Sequence, residues 1–81
     1  MHEFGLARSL LEQLLDLAAR HGAARICSVR VEMGEQAGIV EDSFRFGFEV
    51  ISREYPATRE ARLHIDRLPG RDLILRDVEM E

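Results

Sequence analysis

The 81-residue chain contains one cysteine, no tryptophan and no lysine, and these absences narrow what the protein can be. The single cysteine, Cys27, excludes an internal disulfide and any Cys-pair zinc or redox motif. No run of about 20 apolar residues and no charged leader before an apolar run is present, so neither a membrane partner nor export is expected. All eleven basic residues are arginine, but they form no basic run, and with a net charge of −4 a nucleic-acid partner is not expected. A cytoplasmic location follows as the default.

Apolar residues make up 46% of the chain, which is enough for a folded domain. A chain of this length has room for only one core, so we predict a single domain spanning 1–81. Such a small core supplies a net stability on the order of 3–5 kcal/mol. A metal, a partner or self-association can therefore matter, and we expect a monomer or a weak homodimer.

Two amphipathic helices are predicted, because apolar residues recur at intervals of three and four. The first spans 6–20. His21 and Gly22 follow it and should stop it, since glycine can take the left-handed conformation that ends helices. The second spans 42–55, with Asp42 or Ser43 as its side-chain cap, and a proline ends it.

Alternating apolar and polar residues predict three strands, at 25–35, 61–68 and 71–80. The strand–helix–strand unit should be a right-handed crossover with parallel strands. Pro69 and Gly70 suit a type II turn, which makes the third strand antiparallel to the second. We therefore predict an α/β (α+β) fold in the order α-β-α-β-β, with two helices on one face of a three-stranded mixed sheet.

The opening Met-His-Glu carries the main chemical hypothesis. The Met1 amine and the His2 imidazole lie one peptide apart, and both offer lone pairs near neutral pH once a metal competes with the proton. With the backbone amides of His2 and Glu3 they can form a nitrogen-rich tetragonal plane, which suits Ni(II) or Cu(II) and serves zinc poorly. Histidine is too bulky for the usual trimming of the initiator methionine, so the amine stays. The competing interpretation is a frayed polar chain end.

The other ionisable residues carry weaker hypotheses. His21 is expected to face the negative end of the first helix dipole, His64 to lie on a solvated strand face, and Cys27 to be buried with its apolar neighbours. The loop before the second helix adds three acids, Glu35, Glu41 and Asp42. They are expected to be solvated or capping, although one could reach a metal at the N-terminus. No nucleophile–base pair, phosphate-binding glycine pattern or paired catalytic acids is present, so we do not expect an enzyme.

Four motifs follow one another along the chain: the MHE start, the HGA that ends the first helix, the GEQAG loop and the helical FGFE. In this order, and with the closing GRDLILRDVEME, the chain resembles the HypA family of nickel metallochaperones in [NiFe]-hydrogenase maturation. The likeness covers essentially the whole chain.

The resemblance implies that Ni(II) binds at the extreme N-terminus. His2 would be the side-chain ligand, Met1 the amine donor, and Glu3 a contributor through its backbone and carboxylate. The implied partners are the maturation GTPase HypB and the hydrogenase large subunit. Some family members place an acid near position 40, where this chain has Val40.

One departure from the family is large. Family members insert a zinc domain with two Cys-x-x-Cys pairs between the second and the last strand, where this chain has only a turn at 68–71. We therefore expect a nickel-binding domain without zinc. The compact turn beside an intact last strand favours deletion of the insertion over a naturally zinc-free relative.

Two other functions stay open beside the nickel carrier. One is a protein-interaction module that docks on a maturation GTPase or a sister protein, with the MHE start idle. The other is a small-molecule-binding regulatory domain of ferredoxin-like type, which only a fold analogy supports.

Overall fold

The computed structural model describes residues 2–81. Its elements, in the predicted order α-β-α-β-β, are α1 (His2–Arg20), β1 (Ile26–Gly34), α2 (Glu41–Ser52), β2 (Arg62–Leu68) and β3 (Leu73–Met80). The strands form one sheet in the order β2-β1-β3, in which β1 is parallel to β2 and antiparallel to β3. The predicted fold of two helices on one face of a three-stranded mixed sheet is confirmed. Neither helix is long and apolar enough to cross a membrane.

The core lies between the two helices and the inner face of the central strand β1. Val29, Val31 and Met33 of β1 are fully buried there. α1 contributes Leu11 and Leu14, and α2 contributes its two phenylalanines at 44 and 48. Full burial of each large apolar side chain is worth about 1.5–3 kcal/mol, so this layer is the main source of stability.

Both helices differ in extent from their predictions. α1 begins at His2, four residues before the predicted start, so the opening stretch is helical. α2 ends at Ser52 rather than at residue 55. There the buried Thr58 hydroxyl donates a hydrogen bond to the Ser52 carbonyl at 2.8 Å, which satisfies one of the oxygens that a helix end leaves free.

The expected burial of Cys27 is wrong. The pairing of β1 with β3 shifts by one residue between Ile26 and Ser28, as in a β-bulge. This shift places Ile26 in the core and leaves Cys27 only half-buried, because a one-residue change reverses the faces on which side chains lie.

The link between β2 and β3 also differs from its prediction. β3 runs antiparallel to β2 as expected, but β1 lies between them, so residues 69–72 must cross the end of β1 instead of forming a type II hairpin turn. Gly70 has a φ of +131°, its N–H donates to Gln36 Oε1 at 2.7 Å, and its carbonyl accepts from the Gln36 N–H at 2.8 Å. The crossing passes directly over Gly34, where a Cβ atom would lie 2.3 Å from the Gly70 oxygen.

Candidate functional site

The first turn of α1 lies against the loop that precedes α2. Both His2 and Glu3 belong to this turn. The first four N–H groups of a helix have no acceptor within the helix, so neither residue's amide is committed to the helical hydrogen-bond ladder. Met1, the third residue of the predicted ligand set, lies outside the residues that the structure describes.

Glu3 joins the starts of the two helices. Its Oε2 accepts a hydrogen bond from the Val40 N–H at 3.1 Å, and its side chain is only 14% exposed. Val40 is the N-cap residue of α2, and a carboxylate is favourable at a helix N-terminus. This hydrogen bond lowers the pKa of the Glu3 carboxyl below its ordinary value, with the residue's own N–H adding to the effect.

The predicted caps of α2 are wrong, because Asp42 and Ser43 both lie inside the helix. Neither Asp42 nor Ser43 caps the helix, since the N-cap position falls on Val40 and has no side-chain cap of its own. The acceptor comes instead from the other helix, 37 residues earlier in the chain.

His2 is the exposed member of the pair. Its side chain is 65% exposed, and its Nδ1 lies 3.9 Å from Glu3 Oε2. An accessible imidazole beside a fixed carboxylate can bind a cation while the carboxylate supplies an outer oxygen and negative charge. The structure thus brings His2 and Glu3 together, with the carboxylate already held by Val40.

Phe4 anchors this turn to α2. A Cβ built on Gly47 would lie 3.3 Å from Phe4 Cδ1 and 3.6 Å from the Ala7 Cβ, so the absence of a side chain at position 47 lets the helices approach closely. The Arg8 guanidinium lies 5.8 Å from the centre of the Phe4 ring, within the range of a cation–π contact. The sequence analysis did not predict this close packing of Phe4 against Gly47. A single glycine among three phenylalanines of one helix was the feature that could have indicated it.

Of the three loop acids, only Glu41 has side-chain partners in the described residues. Glu41 lies 3.2 Å from Arg67 of β2 and 3.8 Å from Arg45 one turn along α2, so its carboxylate is engaged by two guanidinium groups. Asp42 and Glu35 are exposed. The residue that reaches the N-terminal stretch from this region is Val40, through its backbone.

The other two histidines and the cysteine lie elsewhere. His21 follows the far end of α1, which has 19 residues and is therefore about 28 Å long. His64 is exposed on the outer face of β2, as expected. Partial burial, with the charge of Glu81 adding to it, raises the pKa of the Cys27 thiol, which disfavours the thiolate form that metals bind.

Within residues 2–81, no group of three or more His, Cys, Asp or Glu side chains is placed to hold a metal ion. A site made from a terminal amine, two backbone amides and one imidazole needs only one such side chain. The N-terminal stretch therefore offers a nitrogen-rich set, whereas a tetrahedral site of side chains has no counterpart among these residues.

These features define a small two-layer α/β domain with an exposed imidazole and a fixed carboxylate at the free end of its first helix. Solved structures of HypA proteins share the fold. The nickel metallochaperone HypA from Helicobacter pylori superposes with a TM-score of 0.77 at 18% identity, over 98% of this chain and 86% of that one. A second HypA solution structure gives 0.72 at 19% identity, over 100% and 92%.

The chain belongs to the HypA family. The family model described as hydrogenase/urease nickel incorporation, metallochaperone, hypA, matches residues 1–73. The hydrogenase maturation factor HypA of Alkalilimnicola ehrlichii is 40% identical over 93% of this chain, and that of a Roseiflexus species 41% over 85%. The matches cover 66% and 55% of those two proteins, so this chain spans only part of their length.

Proposed function

We propose that this chain is a nickel-carrier domain that delivers Ni(II) during [NiFe]-hydrogenase maturation in the cytoplasm. The observation that carries the proposal is the exposed His2 imidazole beside the fixed Glu3 carboxylate, at the start of a chain that the family model matches from residue 1. In this proposal the metal is cargo, and no residue acts as a catalyst.

The proposed ligands are the Met1 amine, the His2 and Glu3 amide nitrogens and the His2 imidazole. Neighbouring backbone nitrogens can share one chelate ring when ψ is close to about 0°, whereas helical ψ is about −42°. A rotation of about 40° about ψ of His2, the first residue of α1, therefore brings the His2 and Glu3 amide nitrogens into one chelate ring. The rest of the helix, which is packed from Ala7 onward, does not need to move.

In this proposal the Glu3 side chain acts outside the nitrogen plane to which the Glu3 amide belongs. Its carboxylate is held by the Val40 N–H, and it sets a negative charge next to the exposed imidazole. The negative charge favours a bound cation. The hydrogen bond to Val40 fixes the position of the loop before α2 relative to the metal. Occupancy of the site is thereby linked to the start of α2.

A Ni(II) titration by calorimetry and absorbance at neutral pH tests the proposal. Tag-free protein with its native amine should bind one Ni(II) with a square-planar d–d band, and acidification should release it because the imidazole and the amine become protonated. Two extra residues before Met1, or His2→Ala, should abolish this binding. His21→Ala, which changes an exposed histidine at the opposite end of α1, serves as the control. Equal nickel binding by all four proteins would contradict the proposal and favour a protein-interaction module.

We further propose that the turn at 68–71 stands where the family carries its zinc insertion. The chain has one cysteine, so two Cys-x-x-Cys pairs cannot form. A Zn(II) titration should therefore give no stoichiometric tetrahedral site. Tight zinc binding with thiolate character would contradict this.

The proposed partners are the GTPase HypB and the hydrogenase large subunit, and the large subunit is the proposed recipient of the nickel. Mixing the nickel-loaded domain with purified large subunit, with and without HypB, and measuring the nickel content of the large subunit over time tests the transfer step. Transfer that is equally fast with His2→Ala incubated with the same nickel would contradict a carrier role for this site.

A further inference from the structure

β3 forms one edge of the sheet. It pairs with β1 on one side, and within residues 2–81 no strand lies on its other side. The N–H and C=O groups on that side are therefore free to pair with a strand from another chain.

The side chains of β3 are distributed symmetrically about the middle of the strand. A shift in the pairing with β1 between Arg30 and Val31 places Arg76 and Asp77 together on the exposed face. Four residues on the helix side are half-buried, namely Leu73, Leu75, Val78 and Met80, and the other four, Ile74, Arg76, Asp77 and Glu79, are exposed. The pattern reads the same in both directions, because the shift reverses the alternation at the centre of the strand.

Suppose that a second β3 pairs antiparallel with the first, about a two-fold axis between Arg76 and Asp77. Half-buried residues of one strand then lie opposite half-buried residues of the other, and exposed residues lie opposite exposed residues. On the helix side, Leu75 would lie opposite Val78 of the partner subunit. On the exposed side, Arg76 would lie opposite Asp77 of the partner subunit, and the symmetry repeats this opposite-charge pair. Cross-strand apolar and opposite-charge pairs of this kind stabilise antiparallel sheets.

An apolar groove continues from this edge. It encloses about 150 Å³ and is lined by Leu6, Ser9, Leu10, Gln13, Val31, Leu73 and Leu75. The same register places Met80 of the partner subunit opposite Leu73, at the mouth of the groove. Methionine fills irregular apolar space well, so a second copy supplies a suitable side chain for this groove.

The other edge strand, β2, does not have this complementarity. An antiparallel pairing of β2 with itself about Ile65 would set the buried Leu63 against Arg67. The order of charged, exposed and half-buried residues therefore differs between the two edge strands. It favours β3 as the edge that pairs with a second copy.

We propose that two copies of the chain associate through antiparallel pairing of β3, with Arg76 and Asp77 as reciprocal ion pairs at the two-fold axis. The product is a continuous six-stranded sheet with the helices of both copies on the same face. This association does not depend on nickel.

Sedimentation equilibrium at protein concentrations up to about 1 mM tests the proposal, since weak dimers form in this range. The wild-type chain should approach twice its monomer mass. Arg76→Asp and Asp77→Arg should each raise the dimer dissociation constant about 30-fold, because each replaces two favourable pairs with two like-charge pairs. Circular dichroism checks that each variant is folded.

A mixture of the two variants gives the sharpest result. One chain then carries two acids at the axis and the other two arginines, so the mixture should form a heterodimer about as stable as the wild-type homodimer. Arg62→Asp on β2, which makes the same charge change at the opposite edge, should leave the mass unchanged. A wild-type chain that is monomeric throughout, or a mixture that stays monomeric, would overturn the proposal.

Discussion

Replacing Gly34 with alanine should disrupt the crossing of residues 69–72 over the end of β1. A Cβ at position 34 would lie 2.3 Å from the Gly70 oxygen and 2.8 Å from the Arg71 nitrogen. Real Cβ atoms essentially never lie within 3.0 Å of another heavy atom, so the two backbone segments must move apart by about 0.7 Å or more. These are backbone atoms, and no side-chain rotation can relieve the overlap.

The expected cost combines two effects. Overpacking costs about 1–3 kcal/mol. The required movement also strains the hydrogen bond from the Gly34 N–H to the Asp72 carbonyl and that from the Gln36 N–H to the Gly70 carbonyl, both 2.8 Å. Each is worth about 1 kcal/mol. A total of about 3 kcal/mol is a large share of the stability of so small a domain, and it should lower Tm by about 12–24 °C.

Urea unfolding followed by circular dichroism measures this loss. Gly5→Ala is the matched control, because the site is helical and nothing lies within 4 Å of the added Cβ. The control should gain about 0.5–1 kcal/mol from helix propensity. A Gly34→Ala protein within about 0.5 kcal/mol of wild type would refute the reasoning, because strain of this kind exceeds the usual effect of a surface substitution.

Three further predictions use other contacts. In Gly47→Ala the added Cβ meets the Phe4 side chain at 3.3 Å, and this partly exposed ring can shift. The better helix propensity of alanine offsets the remaining strain, so the free energy of unfolding should change by less than about 1 kcal/mol. A loss above about 2 kcal/mol in urea unfolding would show that Phe4 cannot move. Thr58→Val should cost about 0.5–1.5 kcal/mol, because the Ser52 carbonyl loses the shorter of its two hydrogen bonds and keeps only that from the Tyr55 N–H at 3.4 Å, whereas Thr58→Ser should retain most of the stability; equal unfolding midpoints for the two variants would contradict this role. The carboxyl pKa values of Glu3, Glu32 and Glu81 all lie below 4.5 in the folded chain, through hydrogen bonds from Val40, Arg76 and Arg25 respectively. Their stabilising contribution is therefore present above about pH 4.5 and is lost as the pH falls through the lowered pKa values, so stability that rises from pH 5 to pH 3 in a urea series would contradict the assignment.

The local sequence was sufficient for the order of elements and for the composition of the core. Periods of two and of about 3.6 identify which side chains share a face, as they do for Val29, Val31 and Met33 on β1 and for Phe44 and Phe48 on α2. The proposed ligand set at Met1, His2 and Glu3 also follows from the sequence, since these groups are covalent neighbours. The structure places His2 and Glu3 together but does not test their binding of nickel.

Contacts between distant parts of the chain decided the rest. The Val40 N–H binds the Glu3 carboxylate across 37 residues, and this bond, rather than the nearby Asp42 or Ser43, provides the acceptor at the start of α2. The position of β1 between β2 and β3 turned an expected hairpin into a crossing over Gly34.

Strand pairing also determined which side chains reach the core. The bulge beside Ile26 removed Cys27 from the buried face, although the alternation along β1 had placed it there. The periodicity of apolar residues predicts local helices and strands and the side chains that share a face. Sheet order, bulges and contacts between helix ends depend instead on which distant backbone groups meet, and only the tertiary structure determines that.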